Sequence, residues 1–195
     1  MAQGALQQLL QQIAACEICA QHLPLGPRPI VRASRDSRVM VIGQAPGTAV
    51  HASGVPWDDP SGRRLRDWLG VSDEEFYDVR HFAVVPMGFC FPGKGKGGDM
   101  PPRPECAPEW HPPLLELLPK IELTLLIGRY ALERYLQPPK SKTVTEIVRE
   151  GTGPRSPFVA LPHPSPRNNR WLRNNPWFEE TVVPRLRRRT RKLLG

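Results

Sequence analysis

The sequence predicts an α/β protein, a three-layer α/β/α sandwich around a central four-stranded parallel sheet. Four short apolar runs, at 39–42, 82–85, 123–127 and 158–161, are separated by stretches with helical periodicity. The runs are continuous rather than alternating, as in parallel strands covered on both faces. The 195 residues are enough for one domain with a real core. A single domain over 1–195 is expected, with a basic helix or tail at about 177–195.

Each element has a local cause. Leu6, Leu9, Leu10 and Ile13 keep helical spacing and predict an amphipathic helix running toward Cys16. Val39-Met40-Val41-Ile42 stops at Gly43, as a buried strand does. Ser61 is the expected N-cap of a helix through Arg64, Leu65 and Leu69. Phe82 to Val85 is the second strand, and Trp110 to Leu118 a helix. Leu123 to Ile127 is the third strand, closed by Gly128 and followed by a helix through Tyr135. Thr143 and Glu146 have capping-box spacing for another helix. Phe158 to Leu161 is the fourth strand, and a closing helix is expected from Trp177.

Composition narrows the partners. No apolar run reaches the ~18 residues that span a bilayer, and the first residues lack the basic-then-apolar order of a secretory signal. A cytoplasmic protein without a membrane partner is expected. The net charge of +8 favours a polyanion, nucleic acid being the commonest. Six cations crowd residues 185–192, and Arg155, Arg167, Arg170 and Arg173 flank residues 162–166. The 24 prolines cluster at 24–29, 101–113, 138–139 and 162–166, as in ordered loops.

Two segments at strand ends carry chemistry, because ligands of open α/β sheets sit outside the carboxyl ends of the strands. Gly43-Gln44-Ala45-Pro46-Gly47 is either a tight exit turn or a place where backbone approaches a ligand. Gln44 offers both a donor and an acceptor there. In His163-Pro164-Ser165-Pro166 two prolines lock the backbone that carries a histidine, which favours a functional His163 over a structural one. Asp58 and Asp59 are carboxylates beside Trp57, or simply the turn before Pro60-Ser61-Gly62.

The cysteines fall as Cys16-x2-Cys19 and Cys90-x15-Cys106. A reduced compartment makes them metal ligands or core residues rather than disulfides. Four thiolates suit an iron–sulfur cluster or zinc, and His22 has the spacing to replace one of them at zinc. Ligand type alone does not choose between the two, nor against four cysteines that fill the core with no metal.

These segments together resemble the uracil-DNA glycosylase superfamily, most closely the thermophile-type branch whose members carry an iron–sulfur cluster. Gly43-Gln44-Ala45-Pro46-Gly47 is similar to that branch's first motif. Gly54-Val55-Pro56-Trp57 is similar to the segment bearing the aromatic residue that stacks on the flipped base. His163-Pro164-Ser165-Pro166-Arg167-Asn168 resembles the second motif, and also that of the single-strand-selective uracil glycosylases. The fifteen-residue interval between Cys90 and Cys106 agrees with cluster ligands, and the resemblance covers about Cys16 to Asn168.

The resemblance implies a monofunctional DNA glycosylase of base-excision repair, hydrolysing the N-glycosidic bond of uracil or another deaminated base. It implies a [4Fe-4S] cluster on Cys16, Cys19, Cys90 and Cys106, in preference to zinc or no metal. Trp57 would stack on the base and His163 would stabilise its departing anion. Gln44 would orient water, and Asp58 or Asp59 would stabilise the cationic sugar. Ser165, Arg167, Asn168 and Arg170 would meet DNA phosphates, joined by Lys94 and Lys96 unless their flexible basic loop at 91–105 is merely solvated. The partner would be single- or double-stranded DNA, and the enzyme a monomer.

Departures from the family pattern bear on specificity. Gln44 stands where glutamate is usual, and Ala45 where the most active branch has aspartate. The base-reading asparagine falls at Pro86, leaving backbone groups at Met87 and Gly88 as candidate readers. The alternatives are a weak or inactive nucleic-acid-binding module on the same fold, and a zinc protein with an RNA partner.

Overall fold

The computed structural model describes residues 2–195. The strands are β1 (Val39–Ile42), β2 (Phe82–Val84), the two-residue pair β3 (Lys94–Gly95) and β4 (Gly98–Asp99), β5 (Leu123–Ile127) and β6 (Phe158–Leu161). The helices are α1 (Ala2–Ala14), α2 (Thr48–Ser53), α3 (Pro60–Leu69), α4 (Asp73–Tyr77), α5 (Cys106–Glu116), α6 (Arg129–Leu136), α7 (Val144–Glu150), α8 (Asn169–Asn174) and α9 (Val183–Leu194). Among the described residues no helix is long and apolar enough to cross a membrane.

All four expected strands form one parallel sheet in the order β2-β1-β5-β6. Every residue of β1, β2 and β5 is buried, which is why these runs are uniformly apolar. Register pairs Val39 with Phe82 on one side and with Leu123 on the other. The chain leaves β1 for β2, then crosses back to β5, so the strand order reverses beside β1, where α/β sheets open their ligand crevice.

Helices cover both faces of the sheet. Pairs α1–α5 and α3–α9 make the principal helix contacts. On α1, Leu6, Leu9 and Ile13 turn inward. Between α3 and the turn before α9, Trp68 meets Phe178 edge-to-face at 4.8 Å. A one-residue bridge between Arg32 and Val84 seals the outer edge of β2. There the N–H of each residue donates to the other's carbonyl, at 3.0 and 2.7 Å.

The structure moves several expected boundaries. Asp59, not Ser61, caps α3: its carboxylate accepts from Gly62 N–H at 2.7 Å, and Pro60 takes the first helical position, where a missing N–H costs nothing. Helix α5 starts at Cys106 rather than Trp110 and continues through Pro112 and Pro113. The closing helix opens as a π-helical turn over Phe178–Val182, just before Pro184, whose ring withdraws an N–H from the ladder. The stretch 91–105 contains the β3–β4 hairpin rather than an unstructured loop.

Three of the six tail cations are committed to the fold. Arg187 donates to Asp67 O (2.7 Å from Nη2), and Arg191 pairs with Glu75 and Gly70 O. These are the last carbonyls of α3, where cations are favoured by the helix dipole. Arg189 donates to Ser156 O at 2.7 Å.

Candidate functional site

A cavity of about 400 Å³ opens at the carboxyl ends of the strands. Gly43 to Gly47 follow β1 into it, Pro86 follows β2, and His163 and Ser165 follow β6. The two segments singled out from sequence are therefore opposite walls of one cavity. Gly128 lets them converge. Its φ of +79° suits glycine alone, its N–H donates to Leu161 O at 3.0 Å, and His163 lies 3.8 Å from where a side-chain carbon would stand.

His163 is oriented by its own loop. Ser165 N–H donates to His163 Nδ1 at 3.2 Å, so the neutral ring carries its proton on Nε2. Burial pushes the imidazole below its usual pKa, against the opposing pull of the Asp59 and Asp99 carboxylates. The ring thus stays neutral at pH 7 and keeps an Nε2–H donor. Asn168 Nδ2 donates to His163 O at 2.7 Å. Arg64, expected only as a residue of a helix, donates to Pro164 O (3.2 Å), Ser165 O (3.1 Å) and Asn169 Oδ1 (2.7 Å).

Trp57 lies beside His163, with ring centroids 5.8 Å apart and planes at 31°. Its indole rests on Gly43, where any side chain would start 2.8 Å from Cζ2. Its φ of +59° is left-handed, a conformation that costs a non-glycine residue about 1–2 kcal/mol. Arg66 stabilises that turn by donating to Trp57 O at 3.2 Å while pairing with Asp73 at 2.6 Å. Gly62 makes the turn sterically possible, since a Cβ there would sit 1.7 Å from Trp57 O.

The other expected residues divide. Gln44 and Ala45 line the cavity, and Gln44 Nε2 donates to Met100 O at 2.9 Å. Asp59 lines it with one oxygen spent on the α3 cap, whereas Asp58 is exposed outside it. Met87 and Gly88 lie outside it, and their N–H groups are committed to Gly43 O and Gln44 O, each at 2.9 Å. Pro86 does line it, and its carbonyl accepts from the buried His111 at 2.9 Å. Ser165 Oγ accepts from Arg167 N–H at 3.3 Å, and Arg167 reaches across to Gly97 O at 2.6 Å. Lys94, Lys96 and Arg170 are exposed, the two lysines on the hairpin. That hairpin also brings Asp99 to the cavity, a residue the sequence did not single out.

The four cysteines meet elsewhere. All are free thiols around one small recess, walled also by Pro29, Gly88, Phe89, Arg103 and Trp110. His22 is exposed and is not part of it. Burial pushes the Cys90 thiol up to about 11 and that of Cys106 up to about 12. Phe89 N–H donates to Cys106 Sγ at 3.3 Å. Trp110 Nε1 is buried without a partner. Among the described residues no three His, Cys, Asp or Glu side chains converge closely enough for a single metal ion. Four thiols and an unpartnered indole N–H are the donor chemistry that a cluster with inorganic sulfide takes.

The sequence profile of the Uracil DNA glycosylase superfamily matches residues 31–187, which contain the whole sheet and every residue of the cavity except Ile30. With a parallel sheet whose strand ends hold a histidine loop and a glycine-rich turn face to face, this chain belongs to the Uracil DNA glycosylase superfamily.

Proposed function

We propose that the chain is a monofunctional DNA glycosylase that removes uracil or another deaminated base from single- or double-stranded DNA. The observation that carries this is the His163 ring: Nδ1 occupied by Ser165 N–H, and a neutral Nε2–H left for the cavity beside Trp57. The target base leaves the stack and enters the cavity against the indole, a contact worth about 1–3 kcal/mol. As the C1′–N bond breaks, its electron pair stays on the base. Nε2–H donates to the base carbonyl oxygen where that charge collects, and loss of such a donor costs about 3–4 kcal/mol. A neutral donor suits this role because it needs no proton transfer.

Base choice falls to shape more than to amide pairing on the β2 side. Pro86 offers no side-chain donor, and Ile30, Val50 and Val84 continue an apolar wall. Gln44 retains its amide oxygen for base or water.

Cys16, Cys19, Cys90 and Cys106 would hold a [4Fe-4S] cluster, which would supply a covalent staple between the segment after α1 and the start of α5. Trp110 Nε1–H would donate to one of its sulfurs. Anaerobically purified protein is then expected to absorb near 400 nm and contain iron and sulfide, and Trp110→Phe to keep the band while lowering the reduction potential. Absence of iron from such protein overturns this assignment.

The decisive experiment measures base release from labelled oligonucleotides carrying uracil, hypoxanthine or xanthine, single-stranded and opposite each base. Wild-type protein is expected to release at least one of them, and His163→Ala to lose about 100- to 1,000-fold in rate with DNA affinity retained. No release from any substrate, with DNA binding intact, would replace the enzyme by a binding module, the outcome Ala45 and Pro86 would then explain.

A further inference from the structure

Water must attack the sugar carbon, and an acceptor must take its proton. Nothing on the glycine-rich wall provides one: Gln44 cannot ionise and Ala45 presents a methyl group. Two carboxylates line the cavity. Asp59 is engaged by Gly62 N–H in capping α3. Asp99 makes no side-chain hydrogen bond or ion pair with any described residue, so both of its oxygens are available.

Its position is built rather than incidental. Asp99 ends β4, and its Oδ2 lies 3.3 Å from where a side-chain carbon on Gly47 would stand. The hairpin beneath it is tied to both walls. Gln44 Nε2 donates to Met100 O at 2.9 Å on one side, and Arg167 Nη1 donates to Gly97 O at 2.6 Å on the other. Met100 N–H closes back onto Gly93 O at 2.8 Å. Gly98, at φ +145°, leaves room for the Arg167 guanidinium, which a Cβ would approach to 2.2 Å. A carboxylate on a hairpin tied to both catalytic walls, and itself bonded to neither, is placed for a ligand between them.

We propose, resting on the glycosylase reading above, that Asp99 is the catalytic base that accepts the proton of the attacking water. The water oxygen bonds to C1′ as the C1′–N bond breaks, and the electron pair of that bond leaves with the base. One water proton passes to the Asp99 carboxylate and returns through solvent to the released base anion, leaving an abasic sugar and a neutral base. The same negative charge faces the cationic sugar in the transition state.

The test is single-turnover base release by the wild type, Asp99→Asn and the double variant Ala45→Asp with Asp99→Asn, on the oligonucleotide the wild type processes best. Asp99→Asn is expected to lose about 100-fold or more in rate, to bind that oligonucleotide at least as tightly, and to keep its melting temperature, because the residue is exposed. A carboxylate at position 45 is expected to restore part of the rate. His163, followed by NMR titration, is expected to lower its pKa in Asp99→Asn, which reports that the Asp99 charge reaches the site. Wild-type release with Asp99→Asn within threefold of it overturns the proposal and leaves the glycosylase reading standing. No release by the wild type removes both.

Discussion

His111 links the stability of the protein to the wall of its cavity. The ring is 1% exposed, its Nε2 lies 2.9 Å from Pro86 O and its Nδ1 2.6 Å from the Tyr135 hydroxyl. A carbonyl only accepts, so Nε2 carries the proton and Tyr135 O–H donates to Nδ1. Burial, helped by Arg134, pushes the imidazole from 6.5 down to about 4. The unfolded chain therefore binds a proton more readily than the folded one, and stability falls as pH drops from about 6.5 toward 4. In full the loss is about 3 kcal/mol, of which about 2 kcal/mol accrues between pH 7 and 4.5. Urea unfolding across that range measures it, with His111→Gln as the comparison because its amide still reaches Pro86 O. Depressed carboxylates such as Asp78, held near 2 chiefly by Arg80, act in both proteins and cancel in the difference. The variant is expected to be less stable at pH 7 and to lose about 2 kcal/mol less on acidification. Parallel curves, agreeing within about 0.5 kcal/mol across the range, would refute a neutral buried ring.

Three further variants test the site and the charge distribution. Gly62→Ala places a carbon 1.7 Å from Trp57 O and is expected to cost about 3 kcal/mol, read by unfolding, and to shift Trp57 fluorescence as its turn opens. Arg187→Ala with Arg191→Ala should lower stability by about 1 kcal/mol and leave DNA affinity unchanged. Lys94→Ala with Lys96→Ala should spare stability and reduce the salt dependence of DNA binding by about two counterions. The reverse pattern would move the DNA contact to α9.

The sheet was legible because β1, β2 and β5 are buried throughout and β6 is apolar as well, so four apolar runs sufficed to find them. Both walls were legible because glycine and proline punctuate strand ends. What stayed hidden was set by contacts between distant segments. Asp99 sits on a strand of two residues, too short for any alternation to show, and only the ties to Gln44 and Arg167 give it a place. Arg64 has helical spacing in the sequence, but its acceptors lie on the histidine loop a hundred residues away. The cations at 185–192 suggested a nucleic-acid surface, yet Arg187 and Arg191 answer carbonyls at the far end of α3. Ser72 and Glu75 have the same capping-box spacing as Thr143 and Glu146, and they start α4.

The bridge between Arg32 and Val84 has a consequence for the life of the protein outside its reaction. An uncovered β2 would offer its unpaired amides to any passing chain, the ordinary route to sheet-to-sheet aggregation. The segment that covers it is held at Ile30, whose N–H donates to Phe89 O at 2.7 Å, and leads back within a few residues to the cysteine recess. Through Pro29 the strip that guards the sheet edge is also part of the wall around the thiols, so one short segment serves both places.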